Sequence, residues 1–206
     1  MRKTAFVCMV VIISMLLPST AFASYGYDYA AKFFIAPYTL KAANDAWAKL
    51  GLTYSSYYGD NFTKSTFLAN AKYGNGVYAL AHGSLSTRSI FDGTGTLVTN
   101  GKEITTADIN TARASDWKKL VFIDACFSSN DDKMSRAWGI FTGDGSIHAY
   151  VGWNGCSSDN QQYCDYTMTF WSSVANKNTI SYSMSEASRL SGVTNARGFG
   201  SLNWRY

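Results

Sequence analysis

The sequence predicts an α/β fold: a three-layer α-β-α sandwich around a mostly parallel sheet, with an edge strand at the C-terminus. Three observations predict it. Val77–Ala81, Leu120–Ile123 and Ile147–Val151 are short runs, apolar almost throughout, which is the pattern of strands covered on both faces. Apolar residues at helical spacing lie between and around these runs. Each run ends in a polar or glycine-containing break. Strands that alternate with helices build parallel sheets with helices on both faces.

The first 23 residues stand apart from that pattern. Arg2 and Lys3 precede an apolar stretch from Ala5 to Leu17, then Pro18 and the small-x-small triplet Ala21-Phe22-Ala23. This is the form of a secretory signal peptide cleaved after Ala23, with one domain spanning 24–206 and a secreted or periplasmic destination. No later stretch supplies the roughly 20 apolar residues of a membrane span, so stable membrane insertion is not expected.

Within the domain, Lys32–Ala36 reads as a weak early strand. Leu40, Ala43, Trp47 and Leu50 recur at helical spacing, with Gly51 as a stop. Thr63 is placed to cap a helix carrying Phe67, Leu68 and Ala71, and Asn61-Phe62-Thr63 also matches a glycosylation acceptor. Thr105 and Asp108 form a capping box ahead of Ile109 and Ala112. Met168, Trp171 and Val174 mark one further helix; Ile180, Met184, Ala187 and Leu190 mark another. The tail from Phe199 to Tyr206 alternates through Leu202, Trp204 and Tyr206 and reads as the edge strand.

Charge excludes some classes of function. The formal net charge is +4, and two of the cations, Arg2 and Lys3, belong to the leader. So small an excess gives no footprint for nucleic acid or an anionic membrane. A peptide or protein substrate is the expected partner, and no cofactor or metal is expected. Asp131 and Asp132 read as a solvated loop rather than a calcium site.

Outside the leader the cysteines are Cys126, Cys156 and Cys164. In an oxidising compartment thiols pair. Cys156 and Cys164 flank the short polar loop SSDNQQY and are the expected disulfide, which would contribute roughly 2–3 kcal/mol in the chain-entropy account. Cys126 is then odd: a reactive thiol, an intermolecular partner or an inert buried group.

In parallel sheets, sites form beyond the carboxyl ends of the strands. There the sequence places His82-Gly83-Ser84, Asp124-Ala125-Cys126 and Gly152-Trp153-Asn154. An imidazole and the odd thiol at two strand ends are the parts that thiolate chemistry needs. His148 lies inside a predicted strand and reads as a core histidine.

An apolar strand ending in His82-Gly83, followed by an apolar strand ending in Asp124-Ala125-Cys126, resembles the clan CD cysteine peptidases: caspases, metacaspases, legumains, gingipains and clostripain. The resemblance covers most of Val77–Leu190 and includes Gly93, Gly95 and Leu97, the segment Gly101–Thr105, Tyr150–Trp153 and Phe170-Trp171. It implies Cys126 as nucleophile, His82 as proton donor to the leaving amine, and the amides of Gly83 and Cys126 as an oxyanion hole. It implies Trp153 as a pocket wall, where the residues alone also fit a partly exposed core aromatic. Asp124 has two readings, an acceptor for local backbone N–H groups or the floor of the specificity pocket. Metacaspases and paracaspases carry Asp there and cleave after Arg or Lys; legumain has an acid there and prefers Asn. The chain departs from many relatives in following the cysteine with Phe127-Ser128-Ser129 rather than a small pair. The expectation is a secreted cysteine endopeptidase cleaving after a basic residue. The alternatives are a transpeptidase using the same dyad, a non-enzymatic binding module of the same fold at the cell surface, or a secreted structural protein linked through Cys126.

Overall fold

The structure, a computed structural model, describes residues 25–94, 101–113, 119–143 and 147–206. The predicted signal peptide, Gly95 and Leu97 lie outside the described residues. The elements in chain order are β1 (Tyr25–Ala30), α1 (Ala36–Lys49), β2 (Thr53–Tyr58), a 3-10 turn (Gly59–Asn61), α2 (Lys64–Ala71), β3 (Gly76–Leu80), β4 (His82–Ser84), β5 (Ser89–Phe91) and β6 (Glu103–Ile104). They continue with α3 (Thr106–Ala112), β7 (Leu120–Asp124), α4 (Lys133–Ala137), β8 (Ala149–Trp153), α5 (Gln161–Ala175), α6 (Ile180–Ser191) and β9 (Ala196–Gly200).

Six strands form the central sheet in the order β2-β1-β3-β7-β8-β9. All neighbours are parallel except β8 and β9, so the C-terminal edge strand is antiparallel. Alternation along the buried strands divides the core in two. Leu80, Leu120, Phe122, Val151 and Trp153 meet Trp47 of α1, Phe170 and Trp171 of α5 and Ala187 of α6. Val77, Ala79, Val121, Ile123 and Tyr150 face the other way, onto Phe67 of α2, Ile109 of α3 and Met134 of α4. This is the predicted three-layer sandwich.

Local chemistry sets the helix ends. Thr63 and Thr66 form a capping box at α2, and the predicted box of Thr105 and Asp108 opens α3. Pro37 opens α1, where a missing N–H costs nothing. Gly51 follows α1 with φ +76, a left-handed conformation that suits glycine.

Three strand expectations need correction. Lys32–Ala36 is not a strand; the early strand is Tyr25–Ala30, and 31–35 is the connection into α1. The sequence Tyr-Gly-Tyr-Asp-Tyr-Ala hides this strand because Asp28 is a poor β residue. Asp28 is nevertheless fully buried, and the Trp47 indole N–H donates to its Oδ1 at 2.7 Å. The edge strand is Ala196–Gly200 rather than 199–206, ended by Gly200 at φ +84. The tail beyond folds back, and the Trp204 and Leu202 carbonyls accept from the Ile180 and Ser181 amides at the start of α6. The third predicted run, Ile147–Val151, shifts two residues along the chain to Ala149–Trp153.

Two features have no counterpart in the sequence reading. β2 is a largely exposed edge strand, and β4-β5-β6 form a small antiparallel sheet over the carboxyl end of β3. The small sheet begins at His82 itself.

Candidate active site

β3 and β7 are adjacent and in register from Gly76↔Leu120 to Leu80↔Asp124. The Ala81 amide donates to the Asp124 carbonyl at 3.1 Å, which carries the pairing one residue further. The chains then diverge into His82-Gly83 and Ala125-Cys126. Gly83 lies directly against the Cys126 backbone. A Cβ on Gly83 would overlap the Cys126 carbonyl oxygen and stand 3.0 Å from its amide nitrogen. Only glycine permits that approach, and it brings the histidine and the cysteine to one rim.

Cys126 is partly exposed. Its sulfur accepts from the Ser157 amide at 3.2 Å and faces the Ser157 carbonyl at 3.4 Å. Phe127 follows at φ +60, a left-handed backbone for a bulky residue, and its amide donates to the Gly155 carbonyl at 2.7 Å. Strained conformations of this kind persist where the surroundings hold them. Here Ser128 does so: its hydroxyl donates to the Ile123 carbonyl at 2.7 Å and accepts from the Trp153 amide at 3.0 Å. The Ser129 amide adds a hydrogen bond to the Trp153 carbonyl at 2.9 Å. Ser128 and Ser129 thus tie the turn after Cys126 to β8.

His82 is half-buried, with its ring 4.6 Å from that of Phe33. Burial holds its pKa below the ordinary imidazole value, and the Asp159 carboxylate pulls the other way. Asp159 accepts from the Phe34 and Ile35 amides at 2.8 and 3.0 Å. It therefore caps α1, whose N-cap residue Ile35 offers no oxygen of its own. Phe33 sits after β1 and His82 after β3, where the strand order reverses, the usual place for a site in an open α/β sheet.

Asp124 does not floor a pocket. It is 1% exposed, and its carboxylate accepts from Trp153 Nε1 at 2.7 Å, Tyr78 Oη at 3.0 Å and Thr167 Oγ1 at 3.0 Å. The donors are core side chains, not the local backbone amides of the competing reading. Desolvation outweighs these bonds and raises its pKa to about 6. Trp153 is likewise not a cleft wall. It is wholly buried, with its ring edge-on to Tyr163 and Tyr166.

The expected disulfide between Cys156 and Cys164 is absent, and all three described cysteines are free. Cys164 is buried on α5 with its sulfur against Met168, whereas Cys156 is exposed on the 154–160 loop. The buried face of α5, not the short sequence separation, decides where Cys164 points. Asp131 pairs with Arg88 and Asp132 with Arg136. His148 precedes β8, at the end of the sheet away from Cys126.

The sequence reading missed Phe33, Ser157 and Asp159, and gave Cys156 the wrong neighbour. Their one shared signal was position: each follows a parallel strand of the central sheet, β1 or β8.

No protein-family model matches the chain, and no curated protein matches it. No helix among the described residues is long and apolar enough to cross a membrane.

Proposed function

We propose that this chain is an exported cysteine endopeptidase with Cys126 as nucleophile and His82 as its proton-transfer partner. The observation that carries the reading is the Gly83–Cys126 backbone contact, which joins the two strand ends into one partly exposed rim. The Cys126 thiolate attacks the substrate carbonyl. In this reading the amides of Gly83 and Cys126 receive the oxyanion, a type of contact that supplies about 3–4 kcal/mol in acyl transfer. His82 delivers a proton to the leaving amine, and water then releases the acyl group from Cys126. Within this reading cleavage follows Arg or Lys. Asp159, exposed and beside His82, takes the role that sequence reasoning gave to Asp124.

The test is hydrolysis of reporter peptides ending in Arg, Lys, Asn or Asp by the reduced chain. Turnover of the Arg and Lys reporters, lost in Cys126→Ser, is the expected result. Turnover that survives Cys126→Ser rejects the nucleophile, and a preference for Asp rejects the basic specificity.

A further inference from the structure

We propose that Cys126 and Cys156 form a reversible disulfide that caps the candidate nucleophile when the protein meets a peroxide. Two hydrogen bonds bracket Cys156 against Cys126. The Gly155 carbonyl accepts from the Phe127 amide at 2.7 Å, and the Ser157 amide donates to the Cys126 sulfur at 3.2 Å. Residue 156 therefore runs past Cys126 with contacts on both sides, and burial, aided by the nearby Cys126 thiol, raises the Cys156 pKa.

The surroundings favour closure. The Cys156 carbonyl is held by Tyr163 Oη at 3.0 Å and Asn195 Nδ2 at 2.8 Å, so the main chain of the loop is anchored while its side chain is exposed. Gly155 precedes it at φ +106, with open space where a side chain would stand. It is a position able to absorb the small backbone change that disulfide geometry requires. Cys164 does not compete, because its sulfur is buried against Met168.

The chemistry balances in two steps. The Cys126 thiolate attacks one oxygen of hydrogen peroxide, giving a sulfenic acid and releasing hydroxide. The Cys156 thiolate then attacks the Cys126 sulfur; the S–S bond forms and a second hydroxide leaves. Two thiols lose two electrons and two protons, and the peroxide is reduced to two waters. A free nucleophilic thiol outside a reducing compartment is otherwise exposed to irreversible oxidation, and the second thiol diverts it to a form that dithiols restore.

The inference rests on the reading of Cys126 as the reactive thiol, but its test reads a bond rather than an activity. The reduced full chain is treated with an excess of hydrogen peroxide, which supplies the two equivalents that a sulfinic acid needs, and is alkylated with N-ethylmaleimide. It is then digested without reduction by trypsin and an Asp-directed protease, which separates Cys156 from Cys164 at Asp159. The expected product is a Cys126–Cys156 cross-linked peptide with Cys164 alkylated. Dithiothreitol restores Cys126 labelling to its starting level in the parent chain. In Cys156→Ser the label is lost for good as Cys126 passes to sulfinic acid. A Cys156–Cys164 peptide, alkylation of both Cys126 and Cys156 after peroxide, or equal recovery in Cys156→Ser overturns the proposal. If the bond forms but the reduced chain cleaves no reporter, the peptidase reading fails and the disulfide stands.

Discussion

Gly83 packs so closely on Cys126 that its missing side chain is part of the site: a Cβ there would occupy the space of the Cys126 carbonyl oxygen. The contact joins β3, which presents His82, to β7, which presents the thiol. The pairing is thus held by main chain rather than by a side-chain bond between the two groups.

Gly83→Ala must therefore push the two strand ends apart. Overpacking of this kind costs typically 1–3 kcal/mol, so urea denaturation should show a lowered midpoint with a folded baseline. Reporter hydrolysis should fall by about 10²-fold or more, because displaced donors no longer meet the oxyanion. Activity equal to the parent at saturating substrate would show that the Gly83 contact does not shape the site.

His82→Ala removes the proposed proton-transfer group without touching the core. General acid–base catalysis contributes about 10²–10⁴-fold, and the loss should appear in kcat while the thermal midpoint stays close to the parent. A change confined to KM would assign His82 to binding instead.

Asp159→Asn deletes the carboxylate that opposes desolvation at His82. With that attraction gone, the charged imidazole is less favoured and the His82 pKa falls further below its ordinary value. Histidine-resolved NMR titration of parent and variant reads the shift directly. The same variant tests the proposed preference: kcat/KM for Arg and Lys reporters should drop more than for Asn.

Asp124 makes stability depend on pH in a defined direction. Its folded pKa, about 6, lies above the ordinary 3.8, so the folded state holds the proton more tightly than the unfolded chain. That stabilisation is complete below about pH 4 and is lost as pH rises to about 6, a change of about 3 kcal/mol. Other carboxylates, Asp92 and Asp131 among them, are shifted the opposite way. The measurement is therefore the difference between parent and Asp124→Asn in urea unfolding at pH 4 and pH 7. The variant should gain on the parent as pH rises; a constant difference would mean that folding does not raise the Asp124 pKa.

Phe127 invites a paired comparison. At φ +60 an alanine carries the left-handed cost of roughly 1–2 kcal/mol, which glycine avoids. Phe127→Gly should therefore be more stable than Phe127→Ala by about 1 kcal/mol, the reverse of the order in a helix. Thermal unfolding of the two variants side by side decides it.

Much of this protein was legible one element at a time. Three apolar runs marked the buried strands, the Thr105–Asp108 box marked a helix start, and His82 and Cys126 stood visibly after strands. These signals are local: a run of apolar residues, a cap three positions from its partner, a polar break after a strand. β1 escaped because its burial of Asp28 is made tolerable by Trp47, a residue on the next helix. The tail escaped because Tyr206 packs edge-on against Trp47 of α1 and the tail carbonyls accept from the start of α6, so the segment does not pair beside a strand.

The sequence by itself determined the layer architecture and the identity of the imidazole and thiol, since both follow from which residues avoid water and where strands end. Only the tertiary structure decided what surrounds them. It sealed Asp124 and Trp153 into the core, set Asp159 by His82, and turned Cys156 away from Cys164 toward Cys126. Each of those outcomes depends on which distant segment covers a given strand end and on the backbone angles of a few loop residues, such as Gly155 and Phe127. Hydrophobic periodicity records that a side chain is to be covered, but not what covers it.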